Sequence, residues 1–126
     1  MSALKPRQEA FYQRVAALYR EAGMTPPSLR MASHIIGAPP DAIRAMLLIG
    51  VERGEIADAG EGIYFATETL QRLAEQLKAL PAPVKVAQVR DLTGSSRRYA
   101  AAALRWLRQN GRVDASLCSD EKRPIA

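Results

Sequence analysis

The chain has 126 residues, 48% hydrophobic and 25% charged, the make-up of a folded protein rather than of a disordered segment. No apolar run approaches the roughly 20 residues that span a bilayer, and the amino terminus lacks the apolar core of a secretory signal. A cytoplasmic protein with no membrane partner is expected. Cys118 is the single cysteine and His34 the single histidine, which excludes an internal disulfide and the Cys/His sets that hold structural zinc. No cofactor is expected. The net charge of +5 is unevenly placed: residues 1–80 hold nine Lys/Arg and nine Asp/Glu, whereas residues 81–126 hold nine Lys/Arg and four Asp/Glu. The whole positive excess sits in the last third of the chain, where it suits a polyanionic partner.

In chain order, Phe11, Val15, Leu18 and Tyr19 recur at helical spacing and predict a first helix over 6–22, ended at Gly23. Thr25 followed by Pro26 and Pro27 reads as a cap and rigid start for a short second helix through Leu29, Ala32, Ile35 and Ile36, stopped at Gly37. Pro39, Pro40 and Asp41 open a third helix that runs to Arg53, with Gly54 as its stop. Two short strands over 55–59 and 63–66 flank the turn Gly60-Glu61-Gly62. Three helices followed by a hairpin, or wing, is the winged-helix order.

Thr67 is placed to cap a further helix whose stripe is Leu70, Leu73, Leu77 and Leu80, ended by Pro81 and Pro83. The order then repeats. Residues 84–86 read as a short strand, 87–92 as a short helix ending at Thr93-Gly94, and Ser95 or Ser96 as the cap of a longer helix to Asn110-Gly111. A last hairpin is expected over 112–117 and 123–125, with Cys118 near its tip and Pro124 restricting its second strand to an edge. The fold class is therefore mainly α with small β-hairpin wings, in two tandem winged-helix modules over 1–66 and 67–126. Modules of that size are close to the lower limit for independent stability, so the helix over 67–80 is expected to double as the connector that holds the pair together.

The third helix of a winged helix usually meets nucleic acid, and the two candidates differ. In the first module Ile43, Met46, Leu47 and Val51 form the inward stripe, and the charges of Asp41, Arg44, Glu52 and Arg53 cancel. Asp58 and Glu61 on the adjoining hairpin would repel a phosphate backbone, and Leu48 and Ile49 read as a contact surface for a neighbouring module or partner. In the second module Ala100, Ala103, Leu104 and Leu107 form the buried stripe, while Arg97, Arg98, Arg105 and Arg108 share about 100° of arc around Ala101. Each guanidinium can grip a phosphate or a guanine edge with two hydrogen bonds. The end at Ser95/Ser96 adds backbone N–H groups and the positive pole of the helix dipole. The same face also reads as a solvated surface. Tyr99 and Trp106 border the apolar stripe and read as core rather than as base-stacking groups. His34 has no evident chemical role, and Cys118 reads as incidentally exposed.

No acid pair is tied to a nucleophile, a metal set or a phosphate loop, and neither G-x-x-x-x-G-K-[ST] nor G-x-S-x-G occurs. The chain is not expected to be an enzyme.

The stretch from Val84 to Ala100, with Arg90-Asp91, Gly94 and Ser96-Arg97-Arg98-Tyr99 and then Leu104, resembles the last winged helix of SelB, the bacterial selenocysteine-specific translation elongation factor family. Pro26-Pro27-Ser28-Leu29, the Gly54 turn and Gly62-Ile63-Tyr64-Phe65 are similar, more weakly, to the winged helix before it. The resemblance implies binding of an mRNA hairpin, the selenocysteine insertion element, with Arg97 and Arg98 on its backbone and loop bases, and the helical pattern adds Ser96, Arg105 and Arg108 to the same candidate site. Val113-Asp114-Ala115 stands where the family carries basic groups, so Lys122 and Arg123, with Arg112, are the basic residues left to a second wing. The GTPase and tRNA-binding domains of such a factor have no counterpart in this sequence. The chain is thus expected to be either a piece of a larger factor or a free-standing relative, with the GTPase domains or the ribosome as further partners. Two alternatives stay open: a small winged-helix DNA-binding regulator using the same arginines, and a protein-interaction module using the apolar third helix.

Overall fold

The computed structural model describes residues 4–80 and 84–111. Among them are six helices and one two-stranded antiparallel hairpin, in the order α1 (Pro6–Ala22), α2 (Leu29–Ile36), α3 (Pro40–Arg53), β1 (Ile56–Asp58), β2 (Tyr64–Ala66), α4 (Thr67–Leu77), α5 (Val86–Thr93) and α6 (Arg97–Gln109). No single helix is long and apolar enough to cross a membrane. The expected second wing, with Lys122 and Arg123, lies outside the described residues.

Helices α1, α2 and α3 pack on one another around Tyr12, Val15, Ala16, Tyr19, Ala32, Ile43, Met46 and Leu47, all buried. The inward face of α3 is completed by Gly50 and not by Val51, which is 38% exposed. On a helical wheel Gly50 lies at the centre of the Ile43–Leu47 stripe and Val51 at its edge. The missing side chain lets β1 approach: a Cβ at position 50 would sit 2.3 Å from Ile56 Cγ1 and 2.9 Å from Ile56 Cβ. Ile35, expected in the stripe of α2, is 55% exposed instead.

Two expected caps are reassigned. Ser28, not Thr25, caps α2, its hydroxyl accepting from the Met31 N–H at 3.1 Å, while the Thr25 hydroxyl donates back to the Ala22 carbonyl. Both arrangements use a short hydroxyl side chain beside a proline pair, so composition could not separate them. Thr67 is the first residue of α4 rather than its cap, because β2 runs directly into the helix through Ala66. That helix ends at Leu77, one turn earlier than the leucine stripe suggests.

The hairpin pairs Ile56 with Ala66, Ala57 with Phe65 and Asp58 with Tyr64. Residues opposite one another share a face, and successive residues alternate. Ile56 and Tyr64 accordingly belong to the core of α1–α3, whereas Ala57 and Phe65 belong to a second core built by Leu70, Leu73 and Leu77 of α4, Val86 and Val89 of α5, and Ala100, Ala103, Leu104 and Leu107 of α6. Both faces of the hairpin are thus covered. It packs on the α1–α3 cluster with one face and on the second core with the other.

In the second half the strand expected over 84–86 reduces to a single bridge residue, Val84, because Val86 already belongs to α5. Helices α5 and α6 are joined by Gly94, Ser95 and Ser96 and pack closely, a helix–turn–helix pair. Gly94 ends α5 with φ of 71°, a left-handed conformation that glycine adopts at little cost.

Candidate nucleic-acid interface on α6

Ser96 caps α6, its hydroxyl accepting from the Tyr99 N–H at 3.1 Å. The neighbouring Ser95 is buried and does a different job: its hydroxyl donates to the Met24 carbonyl at 2.6 Å, tying the start of α6 to the connector between α1 and α2. Two adjacent serines offered no sequence signal to say which would cap and which would anchor.

The first turn of α6 contains no acid; Arg97 and Arg98 stand there instead. A helix begins with unpaired N–H groups and a positive dipole end that favour carboxylates by about 0.3–1 kcal/mol each. Two guanidiniums at this pole work against the stability of the free helix and towards binding an anion. Within residues 84–111 six Lys/Arg stand against the single acid Asp91, which is paired with Arg90 at 3.3 Å, while Glu61 of the hairpin turn adjoins Arg98.

The four arginines do not form a uniform face. Arg98 donates to the Glu61 carbonyl at 3.2 Å and Arg105 to the Ala59 carbonyl at 2.8 Å, both in the turn of the β1–β2 hairpin. These two lie on the edge of the arc next to buried Ala102, so the hairpin packed there meets them first. Arg97, on the opposite edge, is exposed and has no hydrogen-bond or ion-pair partner among the described residues. Arg108 is half-buried and engaged. Arg98 and Arg105 bind backbone carbonyls rather than carboxylates, so their positive charge is left uncancelled. Arg98, exposed, and Arg105, half-buried, thus also hold the hairpin turn. The sequence could not show this, because a backbone carbonyl from another element leaves no mark in the composition of α6.

The surface around α3 contrasts with this. Arg53 makes a two-bond pair with Glu9 at 2.7 and 2.9 Å, lies 4.6 Å from the centre of the Tyr12 ring, and is thereby tied to α1. The Tyr12 hydroxyl in turn donates to Glu55. Hydrogen bonds from Arg53 and Gln13 lower the Glu9 carboxyl from 4.5 to about 2. The charges at this end of α3 are spent on one another. Among the described residues, no cluster of three His, Cys, Asp or Glu is placed to hold a metal ion.

No family model and no curated protein matches this chain. Among solved structures, it is similar to the mRNA-binding domain of the elongation factor SelB from E. coli, solved in complex with SECIS RNA. The TM-score is 0.69 at 21% identity, over 90% of this chain and 95% of that one. A likeness at that identity shows a common fold.

Proposed function

We propose that the chain is a non-catalytic RNA-binding region of two tandem winged helices, over 1–66 and 67–126, that takes an mRNA hairpin of the selenocysteine insertion type on the start and exposed edge of α6. The observation that carries this reading is the pair Arg97-Arg98 at the positive pole of a capped helix, in a fold shared with a domain solved on SECIS RNA. Arg97 and the N–H groups of the first turn would take backbone phosphates. Arg98, Arg105 and Arg108 supply the field around them, and Lys122 and Arg123 would extend it. RNA hairpin loops expose phosphates and splayed bases that a helix end can take without entering a groove. A cytoplasmic role beside the translation machinery follows from the same reading, with the GTPase domains of a factor or the ribosome as neighbours.

The test is a titration against a stem–loop RNA, a DNA duplex of matching sequence and the corresponding single strands at several salt concentrations. The hairpin is expected to bind most tightly and to weaken steeply with salt, by about 0.9 log units per log unit of salt for each phosphate contact to a duplex stem. Preference for the DNA duplex would establish the regulator alternative. No binding to any nucleic acid would leave the protein-interaction alternative.

A further inference from the structure

A second basic surface lies where the end of α1, the outer face of α4 and the end of α5 meet. A cleft of about 410 Å³ opens there beside the α1–α2 connector, a size within the roughly 300–1,000 Å³ usual for sites that enclose a small bound group. Arg20 from the last turn of α1 and Arg72 from α4 line it, together with Met24 of the connector, Leu73 of α4 and Leu92 of α5. Among the described residues that line it there is no Asp or Glu, and none of the four arginines of α6.

The two cations are open to a ligand in different ways. Arg20 is exposed and has no hydrogen-bond or ion-pair partner among the described residues. Arg72 is paired with Glu68, one turn earlier on α4, with side chains 73% and 52% exposed. An ion pair that open to water contributes little, so a carboxylate from a partner can take the place of Glu68 at small cost. A cation at position 20 also suits the negative pole of α1, but that does not account for the apolar groups beside it. Leu92 is 43% exposed, whereas Val86 and Val89 of the same helix are buried. A scattered surface leucine needs no explanation. This one stands in a concave surface over buried Leu73, next to two guanidiniums.

We infer that this cleft is a docking site for a short acidic segment of a partner protein. One large apolar side chain of the segment enters against Met24, Leu73 and Leu92, and carboxylates flanking it meet Arg20 and Arg72. Charge complementarity selects the acids, since both rim cations have the same sign and the lining supplies no carboxylate to answer them. The apolar part selects a peptide over a nucleic-acid backbone, whose phosphates would satisfy the guanidiniums and leave Leu92 in water. The inference does not rest on the hairpin-binding reading and holds whether or not the chain binds RNA.

The experiment follows the backbone amide signals of the full chain by NMR as two synthetic peptides are added, Glu-Glu-Leu-Glu-Glu and the same peptide with Ser in place of Leu. The leucine peptide is expected to move the signals of Gly23, Met24, Leu73 and Leu92 saturably. The serine peptide is expected to bind about tenfold more weakly, the loss for one leucine kept out of an apolar site. Arg20→Ala should weaken the leucine peptide by about two- to fivefold, as for one exposed ion pair, and should reduce the effect of added salt. Leu92→Ser should also weaken it, while Leu48→Ser, on the exposed face of α3, should change nothing. All three side chains are exposed, so these substitutions leave the fold in place. A leucine peptide that moves no signal at the cleft, equal binding of the two peptides, or an Arg20→Ala variant with wild-type affinity and salt response would overturn the docking site. So would a stem–loop RNA that moves the cleft signals when the peptide moves none, which would assign the cleft to nucleic acid.

Discussion

Glu9 and Gly50 show how single residues set the first core. Glu9 accepts two hydrogen bonds from Arg53, and its carboxyl is lowered from 4.5 to about 2 by Arg53 first and Gln13 second. A carboxyl that is more acidic in the folded state contributes stability in full above its unfolded value and loses it as the pH falls through the folded one. Thermal melts of the wild type and Glu9→Gln should therefore differ at neutral pH and converge between about pH 4.5 and 2; a difference that stays constant across that window would contradict the assignment. Gly50 acts by absence. Because Ile56 is branched at Cβ and fixed at the start of β1, it cannot yield cheaply to a methyl group 2.3 Å from its Cγ1. Gly50→Ala is expected to cost about 1–3 kcal/mol in urea unfolding, although alanine is the better helix former. Neither residue was legible in the sequence: a glycine is silent in a hydrophobic pattern, and the partner of Glu9 lies on another helix.

For the elements, the pattern was most readable where one helix carried its own signals. The bounds of α1 and α3 follow from proline starts and glycine stops, those of α6 from a serine cap and Asn110-Gly111, and the α6 stripe of Ala100, Ala103, Leu104 and Leu107 is buried as expected. It was least readable where two elements meet. The hairpin alternates in the period-2 manner that the sequence shows, but nothing in its own residues says that its second face meets α4, α5 and α6. For the same reason the arginines of α6 divide into two kinds. Arg105, half-buried on the Ala59 carbonyl, is a structural residue. Arg105→Ala should lower stability by about 1.5–3 kcal/mol, the loss expected for a hydrogen bond involving a charged group. Arg97→Ala should leave the melting temperature unchanged or slightly raised, since nothing among the described residues depends on Arg97 and a cation leaves the positive pole of α6. Equal effects of the two substitutions on stability would mean that the division drawn here is wrong.

Across the molecule, the hairpin belongs to both cores at once: Ile56 and Tyr64 serve one and Ala57 and Phe65 the other. Neither core can open without exposing a strand residue of its neighbour, so the two halves should unfold together. The single Trp106 reports on the second half, while α1 to α3 supply much of the helical signal. Urea transitions followed by tryptophan fluorescence and by far-ultraviolet circular dichroism should coincide; two separated midpoints would show that the cores are independent. The charge distribution works at this scale as well. The neutral first half pairs charges internally, as at Glu9 and Arg53, whereas among the described residues of the second half from 84 on six Lys/Arg stand against the one acid Asp91.

The most direct measurement is the salt dependence of stem–loop RNA binding for the wild type and for Arg97→Ala, a substitution that should not disturb the fold. The variant is predicted to bind more weakly and to show a slope shallower by about 0.9 for the phosphate contact it has lost. Identical affinity and slope would place the RNA, if the chain binds one, on some other surface than α6.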